Sequence, residues 1–94
     1  LYGNIEKKTC YHNHWFHVYK KNYGFGWHTH GESNFSGIYF VDLSNEKYKT
    51  EFTDMDLLIK EGNFLIFPSF LEHRSPLIKE QDKKTIVSFN FSVL

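Results

Sequence analysis

Lys84-Thr85-Ile86-Val87-Ser88-Phe89-Asn90-Phe91-Ser92-Val93 decides the fold class. Side chains two apart share one face of an extended strand. Lys84, Ile86, Ser88 and Asn90 therefore fall on one side, and Thr85, Val87, Phe89 and Phe91 on the other. Such alternation, rich in β-branched and aromatic residues, predicts a strand. If the lysine-bearing side faces a pocket, the Val87, Phe89 and Phe91 stripe needs a cover. Preceding chain, a neighbouring sheet or a second subunit, as in a homodimer, would supply it.

The same pattern extends toward the N-terminus. Ser75–Lys83 is a polar excursion with a mixed-charge tip, preceded by Phe64–Phe67, an apolar run that Pro68 should end or confine to a sheet edge. Glu61-Gly62-Asn63 turns the chain into that run. Tyr48–Thr53 reads as a strand, Ser44–Lys47 as a polar turn, and Asp54–Asp56 as an acidic connection. Phe35–Leu43 is a strong strand with Ser36, Ile38 and Phe40 on one face and Phe35, Gly37, Tyr39 and Val41 on the other. Lys21–Gly26 supplies a turn in which Asn22, Gly24 and Gly26 tolerate positive φ. A strand from about residue 14 places His14, Phe16 and Val18 opposite Trp15, His17 and Tyr19, so His12, His14 and His17 cannot all converge. Leu1–Lys8 is a loop or an edge strand.

Composition agrees. The 94 residues make one domain, 1–94, near the size at which only roughly 60–65 % of the unfolded surface is hidden. Ten Phe, six Tyr and two Trp with no alanine favour sheet over helix. Eight or so short strands with turns between them predict an all-β sandwich or barrel with little helix. Lys plus Arg equals Asp plus Glu at eleven each, which points to neither nucleic acid nor an anionic membrane. One cysteine and no spanning apolar run suit a cytoplasmic protein. The chain begins at Leu1, so an N-terminal portion is expected to be lacking.

His28 and His30, two residues apart, aim at one point if their segment is extended. The arrangement Gly62-(x)5-Pro68-(x)4-His73 brings a third imidazole within reach in a small antiparallel barrel, and Glu32 is a candidate fourth ligand or a replacement for His30. Three imidazoles leave about three positions for water, oxygen or a chelating substrate, and suit iron, zinc, copper, nickel or manganese.

Three ordered blocks, WHTHGESNFSGIYF (27–40), EGNFLIFPSFLEH (61–73) and KKTIVSFNF (83–91), resemble the short iron(II)/2-oxoglutarate-dependent oxygenases found in phages and marine bacteria. The resemblance spans roughly residues 15–92. It implies a double-stranded β-helix, a jelly roll or cupin-like barrel. It implies His28, His30 and His73 as ligands of Fe(II). Lys84 would stand where an arginine binds the distal carboxylate of 2-oxoglutarate, with Ser88 deeper near the metal and Phe40 and Ile38 beside the cosubstrate. The implied activity is hydroxylation of a small-molecule or peptide substrate with decarboxylation of 2-oxoglutarate. The chain departs from the family pattern at His30, which replaces the usual carboxylate, and at Lys84, a point charge rather than a bidentate fork. Phe40 and Ile86 stand where many relatives have tyrosine and serine. Two other readings stand beside it: a cupin-type metalloenzyme using His28, His30, Glu32 and His73 without 2-oxoglutarate, and a non-catalytic jelly-roll binding domain with no metal site.

Overall fold

A computed structural model describes residues 9–31 and 33–93. The readings of Leu1–Lys8 and Glu32, and the side chain of His12, lie outside the described residues. Strands β1 (Thr9–Tyr19), β2 (Phe25–His28) and β3 (Phe35–Leu43) are followed by a 3-10 turn, Glu46–Tyr48. Strands β4 (Glu51–Phe52), β5 (Phe64–Pro68), β6 (His73–Ser75) and β7 (Lys84–Val93) complete the order.

These strands form two separate antiparallel sheets, one of four strands in the order β1-β7-β3-β5 and one of three in the order β2-β6-β4. This corrects the expectation of a double-stranded β-helix or cupin-like barrel, because the ladders do not close. The reason lies in the second sheet. Its strands are four, three and two residues long, too short to carry a ladder around to β1 or β5. Isolated hydrogen bonds, such as His30 N–H to the Ser69 carbonyl at 3.0 Å, are what link the second sheet's approach to the end of β5.

The terminal strand has the register its alternation implies. Lys84, Ile86, Ser88 and Asn90 are buried, whereas Val87, Phe89 and Phe91 are only partly covered. β7 is the hub of the larger sheet, pairing with β1 through Phe16↔Val87 and with β3 through Tyr39↔Val87. Pro68 is the last residue of β5, an edge strand, where its missing N–H costs no ladder bond. The core lies between the sheets, with Phe40 and Ile78 fully buried and Ile38, Phe52, Phe67 and Ile86 packed with them.

Local chemistry moved other boundaries. Tyr48 belongs to the 3-10 turn rather than to a strand, because Asn45 accepts the Lys47 N–H at 3.1 Å and its backbone carbonyl accepts the Tyr48 N–H. The Tyr48 hydroxyl, accepting the Lys79 N–H, ties this turn to the far loop. In the Lys21–Gly26 turn only Asn22 has positive φ, at 71°. Gly24 is required for space: a Cβ there would lie 3.1 Å from Leu77 Cα and from the Ser75 carbonyl oxygen.

Candidate metal centre

His28 and His73 are direct cross-strand partners of β2 and β6, a relation that sets two side chains next to each other on one face. Their ring centroids are 4.3 Å apart. His30 lies just past the end of β2 and is held by its backbone bond to Ser69. The His30 and His73 Nε2 atoms approach to 3.3 Å, and one nitrogen from each of the three histidines lies within 4.8 Å of the others.

The tautomers follow from the backbone. His28 Nδ1 donates to the Gly26 carbonyl at 2.7 Å, and His73 Nδ1 to the Leu71 carbonyl at 2.9 Å. Each ring thereby turns an Nε2 lone pair inward. A hydrogen bond from the distal ring nitrogen to a carbonyl is the usual means of orienting a metal-bound histidine. The His30 and His73 Nε2 atoms, 3.3 Å apart, share either a proton or a cation. Tetrahedral ligands at about 2.0–2.1 Å from zinc stand roughly 3.3 Å apart.

Aromatic edges fix the rings further. Phe25 meets His28 at 4.5 Å between centroids, and Phe67 meets His73 at 4.8 Å. Burial lowers the His73 pKa to about 4, aided by the neighbouring His28 and His30 and opposed by the Leu71 carbonyl bond. Burial, then His28, also lowers the pKa of His30. Both imidazoles are therefore held neutral, the form that ligates metal.

The cluster opens on a cavity of about 380 Å³ between the sheets. Ile38, Ile86 and Ser88 line it, as the strand faces imply, together with Ser36, Thr50 and Tyr19. Ser75 and Arg74, also in its wall, escaped the sequence reading. The signal for Ser75 was its place two residues after His73, on the same face of a strand. His17, on the inner face of β1, is in the wall, and burial lowers its pKa. His14 points to the outer face of β1, where it is exposed.

Of the residues expected beside 2-oxoglutarate, Ile38 and Ser88 line the cavity, whereas Lys84 and Phe40 are packed into the interior. Lys84 is fully buried, its Nζ donating to Ser75 Oγ at 2.9 Å and lying 5.0 Å from the centroid of the Tyr19 ring. Phe40 is core, with no exposed surface. Among the described residues no carboxylate joins the three imidazoles, so the His/carboxylate facial triad is not assembled. The all-imidazole donor set among the described residues and the open sheets overturn the iron(II)/2-oxoglutarate oxygenase reading, and that donor set does not single out Fe(II).

What fold and site define is a two-sheet, all-β domain with a three-histidine group able to hold a divalent metal ion. Compared with family models, with curated proteins and with solved structures, the chain matches none. No helix among the described residues is long and apolar enough to cross a membrane.

Proposed function

We propose that the chain is a metalloprotein that binds one divalent transition-metal ion through Nε2 of His28, His30 and His73 and offers it to a small molecule in the adjoining cavity. The observation that carries this reading is the 3.3 Å approach of the His30 and His73 Nε2 atoms beside His28, with the Nδ1 protons of His28 and His73 committed to carbonyls. An all-imidazole donor set suits zinc, copper, nickel or iron. Three protein ligands leave a position open, the arrangement of catalytic rather than closed structural sites, and a bound ion there supplies a Lewis acid.

The chain's own residues supply the rest. Ile38, Ile86 and Phe67 give the cavity apolar walls, while Ser36, Ser88 and Thr50 place hydroxyls around a ligand. Arg74 is half held back: its Nε donates to Glu51 at 2.7 Å, and its guanidinium carbon lies 4.7 Å from the Trp27 ring centroid. These groups orient a small, partly apolar molecule whose donor atom reaches the ion.

Cobalt(II) loading tests the reading. The protein should give a visible ligand-field spectrum of nitrogen coordination that shifts when a small chelator such as acetohydroxamate is added. A cobalt spectrum indifferent to every small chelator would mean a closed site and would sink the proposed exchange position.

A further inference from the structure

The larger sheet presents its outer face without a covering element among the described residues. Across that face one row runs Phe16, Val87, Tyr39, Phe64 through the pairings Phe16↔Val87, Tyr39↔Val87 and Tyr39↔Phe64. The next row adds Phe89 and Ile66 on either side of Gly37. Phe16, Phe64 and Ile66 are 62 %, 51 % and 54 % exposed. With aromatic side chains carrying roughly 150–250 Å² each, the exposed members of these rows, with Val18 and Val41, leave on the order of 500 Å² of apolar surface. That equals the largest patch on an ordinary monomer, roughly 300–600 Å². Partly covered Val87, Phe89, Phe91 and Phe35 bring it toward the roughly 800 Å² per partner of a stable interface.

We infer that this face is the interface between two copies of the chain. Its two rows contain no Asp, Glu, Lys or Arg, and the second ends at His14 beside Phe89; Asp42, beyond the Val41 bulge, is 3.5 Å from Lys83. A charged partner would find no counter-charge there, whereas a second copy brings none. A two-fold contact requires a surface complementary to itself, and a twisted apolar sheet face meets its own copy in the aligned packing of sheet sandwiches. The metal centre lies on the opposite side of the sheet, so both cavities stay open in the dimer.

Sedimentation equilibrium of the full chain over a concentration series tests this. The expected result is a reversible species of twice the 11.3 kDa chain mass. Phe64→Ala should raise the dimer dissociation constant by roughly tenfold or more, and Phe64→Lys should give monomer with far-ultraviolet circular dichroism unchanged. Should the lysine variant fail to fold, Ile66→Thr beside it serves as the second variant, with dissociation weakened as for Phe64→Ala. A chain monomeric at every concentration overturns the inference. So does a dimer that none of these substitutions weakens, since it would pair through the β1 or β5 edge.

Discussion

Lys84 carries its ammonium between the two sheets, with the Ser75 hydroxyl and the face of Tyr19 as close neighbours. Burial lowers its pKa from 10.5 to about 7, with Glu51 opposing the shift from a distance. Between those two values the unfolded chain holds a proton that the folded chain has released, so stability should rise with pH across the window. The slope is at most about 1.4 kcal/mol per pH unit. Below about pH 7 both states are charged and the burial penalty is complete. Lys84→Met should be more stable than the parent at neutral pH and flatten this rise, as measured by urea unfolding at pH 7 and pH 9. A methionine variant that loses stability would show the ammonium to be held by more than its serine. The three histidines of the site were legible, because a His-x-His pair and a later Pro-(x)4-His are local patterns. Lys84 was legible as belonging to the inward face of β7, where it is buried, but its engagement with Ser75 was not, since Ser75 belongs to a three-residue strand that no periodicity announces.

Among the elements, the turn into β5 depends on one residue. Gly62 has φ of +85°, and its N–H donates to the Phe40 carbonyl at 2.7 Å, joining the turn to β3. A Cβ there would meet nothing within 4 Å, so the cost of substitution is conformational alone. Gly62→Ala should destabilise the chain by about 1 kcal/mol in chemical denaturation, with an unchanged spectrum of the folded state. A neutral result would mean that the turn relaxes to negative φ. The long strands β3 and β7 stood out in the sequence because nine and ten residues of alternation outweigh any local competitor. Tyr48–Thr53 misled for the converse reason. Asn45 caps a 3-10 turn through the Lys47 N–H, and that side-chain bond to the backbone took Tyr48 out of the strand.

At the scale of the whole molecule, alternation shows which face of a strand is buried but not whether the hydrogen-bond ladder closes. Closure depends on strand length and on what meets each edge. In this chain the short β2, β4 and β6 leave two open sheets where a barrel was expected. The metal centre joins the sheets' contents nonetheless, since His73 packs against Phe52 and Phe67 of the core. Metal binding to the folded chain alone should therefore raise its stability by about 2.7 kcal/mol at a free concentration one hundred times the dissociation constant. A thermal melt with and without zinc reads this directly; an unchanged midpoint would place the ion outside the cooperative unit.

The most direct test of the three-histidine centre is a zinc titration by calorimetry on the parent chain and on His28→Ala and His73→Ala. One ion should bind per parent chain, and affinity should fall in each variant by more than the roughly 10–100-fold that loss of an outer-shell partner costs. A parent chain that binds no divalent metal, or folded variants that bind it as tightly as the parent, would rule out the three-histidine centre.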